Sequence, residues 1–150
     1  VEVNQFNDYI IDIIDDCQGQ YWQTFKIGKY KIINSSVCYP SNEMPISVYY
    51  NQGKQLLDLI DDDTLILTDL HVEDYEIEEE KVLSFKERKL INHLSDKKAF
   101  TNKQNKELSL DKIITTQNSN IKIKDISVIK CKKDQSDYGH WPIQFDIQFA

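Results

Sequence analysis

The sequence has few of the residues on which common catalytic and metal-binding motifs depend. It holds four glycines in 150 residues, and none of them stands in a phosphate-cradling loop or a nucleophile elbow. Its three cysteines, Cys17, Cys38 and Cys131, are far apart and form no C-x-x-C pair, which argues against a zinc ribbon and a thioredoxin-type site. These absences favour a protein that is not an enzyme and needs no cofactor. Scattered, reduced thiols are typical of the cytoplasm.

Long apolar runs are also absent. No stretch approaches the ~20 apolar residues that cross a bilayer, and residues 1–17, VEVNQFNDYIIDIIDDC, carry acids where a signal peptide carries bases. With 40% hydrophobic and 29% charged residues, the composition is ordinary for a folded protein of one domain. We therefore expect a single cytoplasmic domain over residues 1–150 with no membrane partner.

Positive charge is scarce in the first half of the chain. The net charge of −7 combines about −13 over residues 1–80 with about +9 over residues 81–133. Residues 58–80 hold eleven acids and neither Lys nor Arg. A surface that carries charge of one sign attracts partners of the opposite charge. This asymmetry therefore gives information about the kind of partner and none about the fold.

The clearest structural signal is YWQTFKIGKYKIIN, residues 21–34. Gly28-Lys29 suits a two-residue hairpin turn, which would pair Ile27 with Tyr30, Phe25 with Ile32 and Gln23 with Asn34. A slip by one residue would mix the two faces of the strands, so the pattern specifies the register.

The remaining segments predict an α+β fold. Alternating or β-branched runs predict strands over residues 46–50, 64–72, 121–131 and 141–150. Helical spacing predicts helices over 4–17, where the Ile-rich run also permits a strand, over 83–96 and over 110–117. Residues 96–107 contain few apolar side chains that could be buried, which predicts a mobile basic loop. The sum is a single α+β domain with a mainly antiparallel sheet and two or three helices packed on one face.

TDLHVEDYEIEEEK, residues 68–81, contains the sharpest candidate for chemistry. On a strand, Asp69, His71 and Glu73 would point the same way, about 6.6 Å apart per pair. Such a row could begin a metal or acid–base site, but no second cluster with ligand spacing completes it. We therefore expect no metal there. His140, in DYGHWP, is either a ligand-contacting residue or a residue that hydrogen-bonds within the fold.

Three C-terminal segments, ELSLDKIITTQ (107–117), IKDISVI (123–129) and DYGHWPIQF (137–145), resemble a family of small bacterial domains of unknown function. Those domains are similar to immunity proteins found beside secreted bacterial toxins. The sequence departs from their pattern where Tyr138 precedes the Gly-His pair and Trp141-Pro142 replaces Ser. The resemblance implies a binding protein and carries over no catalytic residue.

The hypothesis that follows is a bacterial immunity or inhibitor protein that neutralises a basic toxin domain, such as a nuclease, through an acidic surface. The expected partner-binding residues are Asp61, Asp62, Asp63, Asp69, Glu73, Asp74, Tyr75, Glu76 and Glu78. The alternative is a DNA-associated or regulatory protein that acts through the basic segment 81–133, where lysines would contact phosphate. An enzyme built on His71 or His140 is the third possibility.

Overall fold

The structure, a computed structural model, describes residues 11–14, 22–36, 45–73, 83–130 and 139–150. Within this part of the chain there is one α-helix, α1 (Ile46–Leu57). The strands are β1 (Ile11–Ile14), β2 (Trp22–Ile27), β3 (Tyr30–Ser36), β4 (Thr64–Asp69), β5 (Leu90–Asn92), β6 (Phe100–Thr101), β7 (Glu107–Leu108), β8 (Asp111–Thr116), β9 (Ile121–Val128), β10 (Gly139–His140) and β11 (Ile143–Phe149).

These strands form three sheets. The largest has six strands in the order β1-β2-β3-β4-β8-β5. Its strands pair antiparallel except for β3 and β4, which are parallel, because the chain returns between them through α1. A two-stranded sheet pairs β11 with β9, and a three-stranded sheet has the order β10-β6-β7.

The helix and the two-stranded sheet cover opposite faces of the six-stranded sheet. On one face, Tyr49, Leu56 and Leu57 of α1 pack with Ile33, Ile66 and Ile114 in one core. On the other face, Leu65 and Ile113 pack with apolar residues of β9 and β11 in a second core. No helix in the described ranges is long and apolar enough to span a bilayer.

Outside residues 46–50, the period-two patterns predicted strands where the structure has them. The hairpin register is confirmed, with Ile27 opposite Tyr30, Phe25 opposite Ile32 and Gln23 opposite Asn34. Gly28 has a φ of +59°, the left-handed conformation that favours glycine. The last strand, β11, alternates between half-buried and exposed side chains, and β4 and β9 also form where alternation predicted strands.

The helix α1 corrects the strand predicted for residues 46–50. Its buried residues, Tyr49, Gln52, Gly53, Leu56 and Leu57, recur at three- and four-residue spacing and form one face. Gly53 lies within this helix and is buried. A Cβ atom at Gly53 would lie 2.8 Å from Cδ2 of Leu83, so glycine allows α1 to approach that buried side chain.

The predicted helices are wrong wherever the structure describes them. Residues 83–96 form turns and β5, and residues 111–116 form β8. Residues 11–14 form β1, the strand that the Ile-rich run also permits; the rest of 4–17 lies outside the described residues. Residues 96–107 are not merely a loop, because they contain β6 and begin β7, and Ala99 and Thr101 are buried. The expectation of two or three helices on one face is therefore wrong: the fold consists mostly of β-sheet.

Candidate active site

Two carboxylates lie side by side on the six-stranded sheet. Asp69 ends β4 and Asp111 begins β8, and the antiparallel register places them directly opposite each other. Residues opposite each other in this way project from the same face of a sheet. That face is the one covered by β9 and β11, because Leu67 and Ile113, the next pair on it, belong to the second core.

Strand β10 brings an imidazole to the two carboxylates. His140 lies opposite Phe100 of β6, and the two ring centroids are 4.8 Å apart. The neighbouring Trp141 is buried and anchors the strand: its backbone N–H donates to Ala99 O (2.7 Å) and its indole N–H donates to Thr101 Oγ1 (2.9 Å). His140 itself stays exposed, so the strand is fixed while the imidazole remains accessible.

The three side chains are close enough to act together. His140 Nδ1 donates a hydrogen bond to Asp111 Oδ2 at 2.8 Å, and its Nε2 lies 3.4 Å from Asp69 Oδ2. One ligand atom from each of the three lies within 4.8 Å of the others. Asp111 therefore fixes the orientation of the ring and leaves Nε2 facing Asp69.

The electrostatics of the site favour an added positive charge. Burial raises the pKa of Asp111 above its ordinary value, and the charge of nearby Asp69 raises it further. The hydrogen bond and charge of His140 oppose that rise. Ionised Asp111 is therefore costly in the site as it stands, and a bound cation would relieve this cost.

A cleft of about 400 Å³ opens over these groups. Its walls combine the polar groups Asn34, Asp69, Asp111 and His140 with the apolar side chains Leu67, Ile113, Ile143 and Phe145. A concave, partly apolar surface with a few convergent polar groups is the usual form of a ligand site.

The row of Asp69, His71 and Glu73 predicted from the sequence does not exist. Strand β4 ends at Asp69, and His71 has a φ of +57°, which turns the chain back. The backbone N–H of His71 donates to Asp69 Oδ1 at 2.9 Å. Glu73 faces elsewhere and accepts the backbone N–H of Ser109 at 3.2 Å.

The predicted acidic surface is divided between the two ends of β4. Asp61, Asp62 and Asp63 precede the strand, and Asp63, six residues before Asp69, lies roughly 20 Å from it at the usual rise of about 3.3 Å per residue. They bond within the fold: Asp61 Oδ1 accepts Thr64 Oγ1 (2.6 Å), Asp62 Oδ1 accepts Thr116 Oγ1 (2.6 Å), and Asp63 Oδ1 accepts Asn120 Nδ2 (2.8 Å). Asp74, Tyr75, Glu76 and Glu78 lie outside the described residues. Partner binding by this set stays a prediction.

Asp111 is the residue that the sequence analysis missed. The helical spacing over 110–117 places Asp111 on a helix and indicates no site there. The signal was nonetheless present, because Ile113, Ile114, Thr115 and Thr116 are all β-branched, a run that favours a strand. As a strand, this segment could have paired with β4 and placed Asp111 beside Asp69.

Solved structures share this fold. The endonuclease domain of TRAS1, a telomere-specific non-LTR retrotransposon, matches 95% of this chain and 70% of its own length at 14% identity, with a TM-score of 0.64. The structure of D. rerio TDP2 complexed with single-strand DNA product matches 93% of this chain and 67% of its own length at 13% identity, with a TM-score of 0.56. An endonuclease/exonuclease/phosphatase family protein from Bacteroides thetaiotaomicron matches 86% of this chain and 55% of its own length at 14% identity, with a TM-score of 0.53.

No family model matches the sequence, and no curated protein is significantly similar to it. At these identities the structural likeness shows the fold alone, which this chain shares with an endonuclease domain and with an endonuclease/exonuclease/phosphatase family protein. It contradicts the predictions of a toxin inhibitor and of a protein that is not an enzyme, because the similar structures include an endonuclease domain and a protein bound to a DNA product. The DNA-associated alternative agrees better with them.

Proposed function

We propose that the protein hydrolyses phosphodiester bonds in DNA with the help of a divalent cation. The observation that carries this proposal is the convergence of Asp69, Asp111 and His140 in an open cleft, from three strands that are distant in the sequence. Hydrolysis of a phosphodiester needs a group that neutralises the phosphate and a group that controls the attacking water. Carboxylates and an imidazole are the side chains best suited to both tasks.

The similar structures support the choice of substrate. One is an endonuclease domain, and another was solved with a single-strand DNA product. The chain also offers positive charge on the sheet that carries His140, because β6 pairs with β10 and the β6–β7 hairpin bears the exposed Lys103 and Lys106. Lysines so placed favour a polyanion over a small neutral ester.

The case for a cation rests on charge. Two carboxylates at the head of the cleft would repel a phosphodiester, since like charges a few ångströms apart oppose each other strongly in a partly dry site. The donor set of Asp69, Asp111 and His140 fits a divalent ion, because carboxylate oxygens and imidazole nitrogens are ordinary ligands for such ions. When bound, the ion would neutralise the phosphate oxygens and lower the pKa of a bound water.

The protein's own groups prepare the site. Asp111 accepts the Nδ1–H of His140, which selects one tautomer and directs Nε2 towards Asp69. The turn at His71 holds Asp69 Oδ1, so that Oδ2 is the oxygen that faces His140. The apolar side chains Leu67, Ile113, Ile143 and Phe145 of the cleft would contact the rest of the substrate.

Hydrolysis of labelled single- and double-stranded DNA would test the proposal, with bis(p-nitrophenyl) phosphate as a simple diester. We expect turnover that chelators abolish, and losses of at least about 100-fold for Asp69→Asn and His140→Ala, since each group is required together with the others. Asp146→Asn is the matched control, because Asp146 is exposed on the outer face of β11, and its rate should stay within about twofold. Absence of hydrolysis with every cation, or activity that survives His140→Ala, would contradict the proposal.

A further inference from the structure

The apolar part of the cleft lies directly behind its charged end. Leu67 precedes Asp69 by two residues on β4, and Ile113 follows Asp111 by two residues on β8. Each apolar side chain therefore projects from the same face as the carboxylate next to it, and the antiparallel register places Leu67 opposite Ile113. At the usual rise of about 3.3 Å per residue, the apolar pair is roughly 7 Å from the carboxylate pair. A single nucleotide spans such a distance from its phosphate to its base.

Strand β11 contributes Ile143 and Phe145 to the same cleft. The pairing of β11 with β9 shifts its register at Phe145, which alone opposes two residues, Asp125 and Ile126. Asp125 has a φ of +53°, so this irregularity is a β-bulge whose extra residue is left-handed. A bulge increases the local twist of a strand pair and is common beside active sites. The fold therefore bends the two-stranded sheet at the aromatic residue that lines the cleft.

The ring of Phe145 has no aromatic partner within the described ranges. Phe149, four residues further along β11, stacks on Tyr30 with ring centroids 4.5 Å apart. Phe145 lies on the same face of the strand and is half-buried. Its ring can therefore stack against a planar group that enters the cleft.

Among the parts of DNA, the base is the one that matches an apolar wall. Phosphates and sugars are polar, whereas the face of a base is planar and stacks on aromatic side chains. In a duplex the faces of a base are covered by its neighbours, and an enzyme reaches that base only by drawing it out of the stack, at a cost in free energy that a single strand largely avoids. An apolar subsite beside the scissile phosphate therefore favours unpaired nucleotides.

We propose that the apolar part of the cleft binds the base of an unpaired nucleotide, with Phe145 stacked against it, and that the protein consequently acts on single-stranded DNA in preference to duplex DNA. The charged end, formed by Asp69, Asp111 and His140, then faces the phosphate of that nucleotide. The inference rests on the proposed function. It is tested by binding without turnover, so that its failure and the failure of catalysis are distinguishable.

Fluorescence anisotropy with two end-labelled strands of equal length and equal charge provides the first test. One strand is an oligothymidylate, and the other has the same sugars and phosphates without bases; Ca²⁺ is present with both. Because the two strands differ only in their bases, the ratio of their affinities measures what the bases contribute. The wild-type protein should bind the oligothymidylate at least about fivefold more tightly, since stacking of a base on an aromatic side chain contributes on this scale.

The substitution Phe145→Leu provides the second test, because it keeps an apolar side chain and removes the ring. It should weaken binding of the oligothymidylate at least about fivefold, and should change binding of the strand without bases and of a duplex less than about twofold. Phe149→Leu is the matched control: it is the same substitution on the same strand, at a ring outside the cleft, and should leave the ratio of affinities unchanged. Phe145→Tyr keeps the ring and should keep the ratio. Should Phe145→Leu fail to fold, Phe145→Met removes the ring with less change in volume.

Equal affinity of the wild-type protein for the two strands, or a preference that Phe145→Leu leaves unchanged, would overturn the inference, and so would binding of neither strand. A preference that depends on Phe145, in a protein that hydrolyses no diester, would uphold the inference while refuting the proposed function. Hydrolysis of DNA that is as fast on duplex as on single strands, and indifferent to Phe145→Leu, would do the opposite.

Discussion

Replacing Thr101 by valine should loosen the strand that carries His140. The indole N–H of Trp141 donates to Thr101 Oγ1 at 2.9 Å, and both residues are buried, with 8% and 5% of their surface exposed. Valine has nearly the shape of threonine but no hydroxyl. The substitution therefore removes the acceptor for a buried donor without opening a cavity.

The expected cost follows from the buried position of this bond. A buried donor that loses its acceptor costs about 1–3 kcal/mol, more than the net contribution of an average hydrogen bond. In a domain of this size, each kcal/mol lowers Tm by roughly 2–4 °C. Thr101→Val should thus lower Tm by roughly 2–12 °C, and Thr101→Ser, which keeps the hydroxyl, should lower it less.

A double-mutant cycle identifies the source of the loss. Urea unfolding of wild type, Thr101→Val, Trp141→Phe and the double variant gives the coupling energy between the two side chains. Because Trp141→Phe removes the donor, Thr101→Val should cost little in that background. Equal costs in both backgrounds would refute the reasoning, and so would a Thr101→Val protein that binds Mn²⁺ as tightly and unfolds at the same temperature as wild type.

Two further predictions concern stability. Gly53→Ala should destabilise the protein by about 1–3 kcal/mol in urea unfolding, because the new Cβ would meet the buried Leu83 at 2.8 Å. Asn51→Ala, on the exposed side of α1, should be neutral or stabilising, since alanine is the better helix former. A gain in stability at both positions would contradict the packing argument. Burial lowers the pKa of His93, so the unfolded chain takes up this proton first as the pH falls, and stability should decline from the ordinary pKa of histidine down to the lowered one. Unfolding of His93→Gln between pH 7 and pH 5 should show a smaller decline, and an identical pH profile would contradict the assignment.

Local patterns predicted the antiparallel strands well. The turn at Gly28 and the alternation on either side of it specify one register, because any slip would place apolar side chains in water. The same reasoning predicted β11, whose side chains alternate without exception. These elements depend on near neighbours in the chain, and for that reason the sequence alone is sufficient to predict them.

Elements with mixed signals were decided by tertiary contacts. Residues 46–50 are partly β-branched, yet they begin a helix because Tyr49 and the residues one turn later pack on the six-stranded sheet. Residues 83–96 have helical spacing of apolar residues, yet Leu90 belongs to a strand paired with β8. Propensity is a weak preference in such segments, and burial against distant residues outweighs it.

The sequence by itself predicted that Asp69 lies on a strand and that His140 precedes another, and both residues stand out in it as candidates for chemistry. It did not determine that they meet. Asp111 joins Asp69 only through the pairing of β4 with β8, and His140 joins both only through the pairing of β10 with β6. Such pairings are selected by the burial of whole strand faces in the two cores, a free energy summed over many distant residues, and no short motif records it.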